Sequence, residues 1–237
     1  MEPSGQSGLR ALLAHPGFAL VLLYRILAML SYQIVAVTVG WHIYQVTGNP
    51  LSLGLIGLAE ILPFFCVAPF AGYLVDHLPR RRLGIAASAG LLATALVLMA
   101  LVKGWLPVQG TWPIYAAIAM TGMVRAFLTP VYNALFAKVL PREAFARGAG
   151  IGSVTFQAGM VLGPAIGGVL VGWGGSALAY AVAAAFGMLA GLSLLVLRVD
   201  DPVTPAADRA PVLRSIAEGA RFVFSNQIML GAMALDM

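Results

Sequence analysis

Apolar residues run along this chain in long blocks, and polar residues gather in the short breaks between them. Six blocks, at 18–44, 53–75, 83–102, 113–136, 149–171 and 177–197, each reach the roughly 20 residues that a helix needs to cross a bilayer. The first is long enough to cross with tilt and ends in the uncharged turn cluster Gln45-Val-Thr-Gly-Asn-Pro50. Pro63 and Pro69 interrupt the second. Spanning helices tolerate such prolines because neighbouring helices satisfy the freed carbonyls. The third ends at Lys103-Gly-Trp-Leu-Pro107, with Trp105 placed as an interfacial anchor. The fifth is rich in glycine, and the tight Gly172-Trp-Gly-Gly-Ser176 turn leads into the sixth. A polar stretch follows, with Asp200, Asp201, Pro202, Pro205 and Pro211 and then an amphipathic piece at 213–224. A seventh apolar run starts near Ile228 and reaches only Met237, too short to cross. The pattern predicts an N-terminal segment at 1–17, a bundle at 18–197, a linker at 198–227 and the start of a seventh helix at 228–237, broken off inside that helix.

Composition agrees with this pattern. Of 237 residues, 60% are hydrophobic and 10% charged, against roughly 25% charged in a soluble domain. The net charge of +5 does not point to nucleic acid, because the charges fall in the breaks between apolar blocks. Arg10, Arg80, Arg81, Arg82, Lys138, Arg142, Arg147, Arg198, Arg209, Arg214 and Arg221 all belong to one side of the alternating topology, and Lys103 alone to the other. That bias predicts a cytoplasmic N-terminus and cytoplasmic basic loops. No small-residue cleavage site follows the first block, which reads as an uncleaved span. Cys66 lies inside an apolar block and the three histidines are scattered, so no metal site or cofactor is expected.

Two motifs stand out. Gly72, Asp76, Arg80, Arg81 and Arg82 form a dense polar turn between the second and third blocks. Asp76, near a helix end, can cap backbone amides or pair with the arginines. The plainer reading makes the arginines topology anchors alone. In the fifth block, Gly159, Gly163, Pro164, Gly167 and Gly168 let two backbones approach and bend the helix, which ordinary helix packing also explains. On both motifs, and on the layout of six spans, a linker and a seventh span, the chain resembles the N-terminal half of a major facilitator superfamily transporter. Within it the chain is most similar to proton-driven drug and siderophore exporters of the enterobactin-exporter-like branch. The resemblance implies that the loop motif braces the two halves of the transporter and that the glycine motif belongs to antiporters. It also implies a functional arginine at Arg125. The departures are His77 and Pro79 in the loop, where the family has a basic residue and glycine. Leu128 and Thr129 follow Arg125 where glutamine and glycine are usual.

Arg25, Glu60 and Arg125 lie well inside apolar blocks. A charge at the bilayer centre costs at least about 2.5–3.5 kcal/mol, so it usually faces a cavity or a partner. By helical rise, Arg125 lies roughly 18–20 Å and Glu60 roughly 10–12 Å from the outer ends of their helices. The two can meet, with Arg25 lower towards the cytoplasm. The expectation is a proton- or substrate-responsive pair in a central cavity; the alternative is a static ion pair that fixes packing. Gln33, Asn133, Gln157 and Asp236 are further cavity candidates, although polar residues on spans also hydrogen-bond across helices. Tyr24, Tyr32, Trp41 and Tyr44 read as packing or interface belt.

The sequence thus predicts an all-α polytopic membrane bundle, the N-half of a twelve-helix fold. The resemblance implies proton-driven export of a small amphipathic compound by two bundles rocking about a midplane site. The partners expected are a small-molecule substrate, the proton, the lipid bilayer and the C-terminal half of the same chain. Nutrient or lysolipid transport on the same scaffold is the alternative within transport. A membrane enzyme would need a nucleophile, metal cluster or paired carboxylates at one interface, and a non-transporting scaffold is the remaining class.

Overall fold

A computed structural model describes residues 16–108 and 110–199. Five long helices account for nearly all of them: α1 Pro16–Thr47, α2 Pro50–His77, α3 Arg80–Val102, α4 Trp112–Val139 and α5 Phe145–Val196. A single 3-10 turn, Arg142–Ala144, joins α4 to α5. All five are long and apolar enough to cross a membrane. The predicted N-terminal segment before Pro16, most of the linker and the seventh run lie outside the described residues.

The helix ends follow local chemistry. The α1–α2 turn closes because Gly48 takes a left-handed φ of 60°. Asn49 then caps α2, its Oδ1 accepting from the Leu51 amide at 2.9 Å, with Pro50 in the first helical turn, where no amide partner is lost. Pro79 occupies the cap position of α3, which has no side-chain cap hydrogen bond. Asp76, which the sequence offers as a cap or as an arginine partner, is exposed and does not cap α3. Instead Arg81 crosses to the far end of α5. Its Nε and Nη2 donate to the carbonyls of Leu194 and Leu195 at 2.7 and 2.6 Å. Carbonyls left open by the last turn of a helix are natural partners for a cation. Pro63, Pro69, Pro130 and Pro164 all sit inside helices.

α5 is 52 residues long, and a straight helix of that length would span about 78 Å, far more than a hydrocarbon core of about 30 Å. It does not run straight. Gly175 has φ 72° and ψ −178°, a conformation open almost only to glycine. The chain folds back there, and the predicted turn at 172–176 narrows to this one residue.

Both arms of α5 then pack along α1. On the first arm, Gly159, Gly163 and Gly167 are buried and meet Met29, Gln33 and Ile34 in turn. A Cβ at Gly167 would lie 3.3 Å from the Ile34 Cα. The four-residue glycine spacing is therefore the contact stripe that the sequence predicts, whereas Gly168 faces open space. On the second arm, the Ala183 carbonyl accepts from the Ser31 hydroxyl at 2.8 Å, and Gly187 and Gly191 approach Leu92 and Ser88 of α3.

Two apolar clusters fill the bundle. One, around Tyr24, Leu91, Val131 and Leu194, lies nearer the Arg80–Arg82 end. The other, around Ile34, Leu98, Ile118 and Tyr180, lies nearer the opposite end. α2 stands apart. Only 11% of its most apolar stretch is buried, against 50% for α1. Phe65, Leu62, Leu58 and Leu51 remain exposed along it. An apolar face of that extent is stable against lipid or a second bundle, not water.

Candidate functional site

Glu60 and Arg125 meet. Arg125 Nη1 lies 3.0 Å from Glu60 Oε1 and donates to it. The same oxygen accepts from the Tyr32 hydroxyl at 2.6 Å. Three helices thus converge on one carboxylate oxygen: α1 through Tyr32, α2 through Glu60 and α4 through Arg125. Gly122 makes this possible. A Cβ there would collide with the Glu60 carbonyl, so α2 and α4 cross in backbone contact at this point. Arg125 is three residues further along α4, on the same face, and reaches the carboxylate directly.

The pair is unevenly wet. The Arg125 side chain is 43% exposed and Glu60 16%. Arg125 also lies 5.2 Å from the Tyr32 ring centre and 5.1 Å from that of Phe64, which adds cation–π attraction. It borders a cavity of about 440 Å³, walled by Tyr32, Phe64, Arg125, Phe156 and Met160 among others. An exposed guanidinium is screened by solvent, so this pair is far easier to separate than a sealed one. By helical rise Arg125 sits about 20 Å from either end of α4, near the midplane of the bundle.

Arg25 is placed elsewhere. It stacks on the Tyr132 ring, 3.8 Å from its centre, with Phe156 at 5.1 Å. Among the described residues no carboxylate pairs with it. Gln33 reaches across to α5, donating to the Met160 sulfur at 3.3 Å, a weak acceptor. Asn133 and Gln157 are exposed on the bundle surface. Asp236 lies outside the described residues. In the loop motif, His77 stacks on Tyr73 with ring centres 4.2 Å apart. Its Nδ1 is 2.8 Å from the Tyr73 carbonyl, which ties it to its own helix.

The sequence reading misses three participants. Tyr32 reads as packing or belt, yet it holds Glu60; Tyr132 and Gly122 give no sequence signal beyond residue type. The signal available for Tyr32 is general: a buried phenol needs a hydrogen-bond partner. Glu60, one block along, is the nearest acid that can serve.

A multi-pass helical membrane protein with an ion pair over a central cavity is the class defined by this arrangement. The sequence profile of the Major Facilitator Superfamily matches residues 21–237, and the chain belongs to that superfamily of membrane transporters. It is 27% identical over 231 residues to the multidrug efflux pump Tap of Mycolicibacterium fortuitum, covering 92% of this chain and 54% of that protein. It is 28% identical over 229 residues to the enterobactin exporter EntS of Citrobacter koseri, covering 96% and 53%. It is 28% identical over 225 residues to EntS of Escherichia coli O1:K1, covering 94% and 53%. The chain spans about half the length of the curated relatives it matches.

Proposed function

We propose that this chain is one bundle of a secondary transporter that exports a small amphipathic compound in exchange for protons. On this reading it lies in the cytoplasmic membrane with its basic end and N-terminus inside. A second bundle closes the other side of the cavity against the exposed face of α2. The carrying observation is the Arg125–Glu60–Tyr32 cluster, set at mid-depth on the cavity wall. Relatives named as a multidrug efflux pump and as enterobactin exporters support export of a drug- or siderophore-like cargo.

The proposed chemistry is a proton move at one oxygen. Ionised Glu60 holds Arg125 and Tyr32 and ties α2 to α1 and α4. A proton on the carboxylate removes its charge and weakens the hold on Arg125. The guanidinium, already half in the cavity, then turns to cargo or solvent. Loss of the proton restores the tie. Two arrangements of one cluster, selected by protonation, are what alternating access requires.

Glu60→Gln removes the titrating group and keeps the size. Export of enterobactin and of an amphipathic fluorescent dye is measured in cells that make the complete protein, across a pH series. The variant is expected to lose the pH dependence and most of the accumulation-driven export. Unchanged pH dependence eliminates the coupling role and leaves the pair as a packing device.

A further inference from the structure

The back of α4 carries a groove that the charged pair does not use. At 3.6 residues per turn, Phe127 points about 200° around the helix from Arg125, so this face is turned away from the cavity. The groove holds about 280 Å³ and runs between α3 and α4. Leu83, Ala86 and Ala87 line one side of it, and Met120, Met123 and Phe127 the other. The two helices are drawn together at two glycines. A Cβ at Gly84 would lie 3.0 Å from a Val131 methyl group, and one at Gly90 would collide with Val124. Between these contacts the α3 wall is Ala86 and Ala87, whose short side chains leave the space open.

The same contacts fix the depth of the groove. Gly84 is level with Val131 and Gly90 with Val124, which sets Met120 about level with Thr94. From Leu83 to that level is roughly 16 Å along the axis. The hydrocarbon core is roughly 30 Å thick, so the groove covers one leaflet, from the basic end to near the midplane. Its volume far exceeds the about 10–15 Å³ that one water-sized group needs, and its walls are apolar. Such a space suits a long hydrocarbon chain lying along the helices. Met120 and Met123, unbranched and adaptable, can fit themselves to one.

Charge selects what the chain is attached to. Arg82 is exposed and lies one turn before Ala86, on the same face of α3. Lys138, also exposed, stands in the last turn of α4, eleven residues or about three turns beyond Phe127 on the same face. Both walls therefore end in a cation at the same end of the groove. Asp76 and Glu143 are the acids at that end among the described residues, and Arg80, Arg81, Arg82, Lys138, Arg142 and Arg147 outnumber them. An apolar slot one leaflet deep, with cations at its surface end, matches a lipid whose headgroup is anionic. A second copy of this chain on the same face would set its own arginines against these.

We propose that the α3–α4 groove binds one anionic phospholipid from the leaflet at the basic end, with an acyl chain between Ala86, Ala87 and Phe127 and the phosphate at Arg82. The proposal rests on the membrane setting and not on the coupling assigned to Glu60. The complete protein is reconstituted in bilayers of equal phosphatidylglycerol and phosphatidylcholine and extracted in mild detergent. The lipid that stays bound is then counted by native mass spectrometry. Phosphatidylglycerol is retained over phosphatidylcholine by about fivefold or more. Arg82→Gln lowers that preference about fivefold, and Arg82→Lys keeps most of it. Ala86→Phe fills the slot and removes the retained lipid. Arg82 is exposed, so the arginine variants serve where Ala86→Phe fails to fold. Equal retention of the two lipids by the unaltered protein overturns the proposal. So does a preference that survives both Arg82→Gln and Ala86→Phe, which assigns it to the basic end at large. A dimer without bound lipid that Ala86→Phe splits into single copies overturns it in favour of a protein interface.

Discussion

Gly122 decides where the charged pair sits. Its missing side chain brings the α4 backbone against the Glu60 carbonyl, and Arg125 is one turn away. Gly122→Ala forces the two helices apart or distorts one of them. Overpacking of this kind costs about 1–3 kcal/mol. The expected outcome is a clearly lowered melting temperature of the complete protein in detergent, with Gly168→Ala, in open space, close to wild type. Equal melting of both variants removes the crossing from the account. At this scale the sequence discloses charge better than contact. Glu60, Arg125 and Arg25 are legible because a charge inside an apolar block is costly and needs a reason. Tyr32, Tyr132 and Gly122 are not, because tyrosine and glycine are ordinary in spanning helices. Their roles depend on how each helix is rotated about its axis. The same holds for Asp76, where the motif suggests a cap or an ion pair. In the structure Arg81 makes a stabilising contact at that end, on the carbonyls of α5.

Elements are more legible than contacts. The blocks at 18–44, 53–75, 83–102 and 113–136 become helices that extend a few residues beyond them. The extra residues include polar and proline positions at the helix ends, such as Pro50 after the Asn49 cap and Arg80–Arg82, which hydropathy does not count. The blocks at 149–171 and 177–197 become the two arms of α5. Between them no loop intervenes, only the backbone reversal at Gly175. A methyl group added at that glycine would meet nothing within 4 Å, so the requirement for glycine is purely conformational. Gly175→Ala is expected to cost about 1–3 kcal/mol through backbone strain alone. Gly172→Ala, also in open space but with ordinary backbone angles, is expected to change little. Thermal melting of the two variants side by side separates these cases, and equal stability contradicts the strained reversal.

The whole molecule follows from packing two kinds of surface. α1 is wrapped by both arms of α5, and small residues make that approach possible. α2 is left with its apolar face outward. A bundle with one bare flank and a mid-depth ion pair bordering a cavity is the arrangement on which the proposed transport reading rests. Family membership was legible from the loop and glycine motifs together with the layout of blocks. The cargo was not, because spacing, hydropathy and intramembrane charge speak to topology and to the presence of a cavity, not to the molecule that would fill it. Most directly, the account is tested by flux into proteoliposomes that hold the complete protein under an imposed pH gradient, with enterobactin and an amphipathic dye as alternative cargoes. The prediction is that at least one accumulates against its own gradient, and that a proton ionophore or Glu60→Gln abolishes the accumulation. Accumulation that ignores both treatments, or none of either cargo while the pH gradient holds, contradicts it.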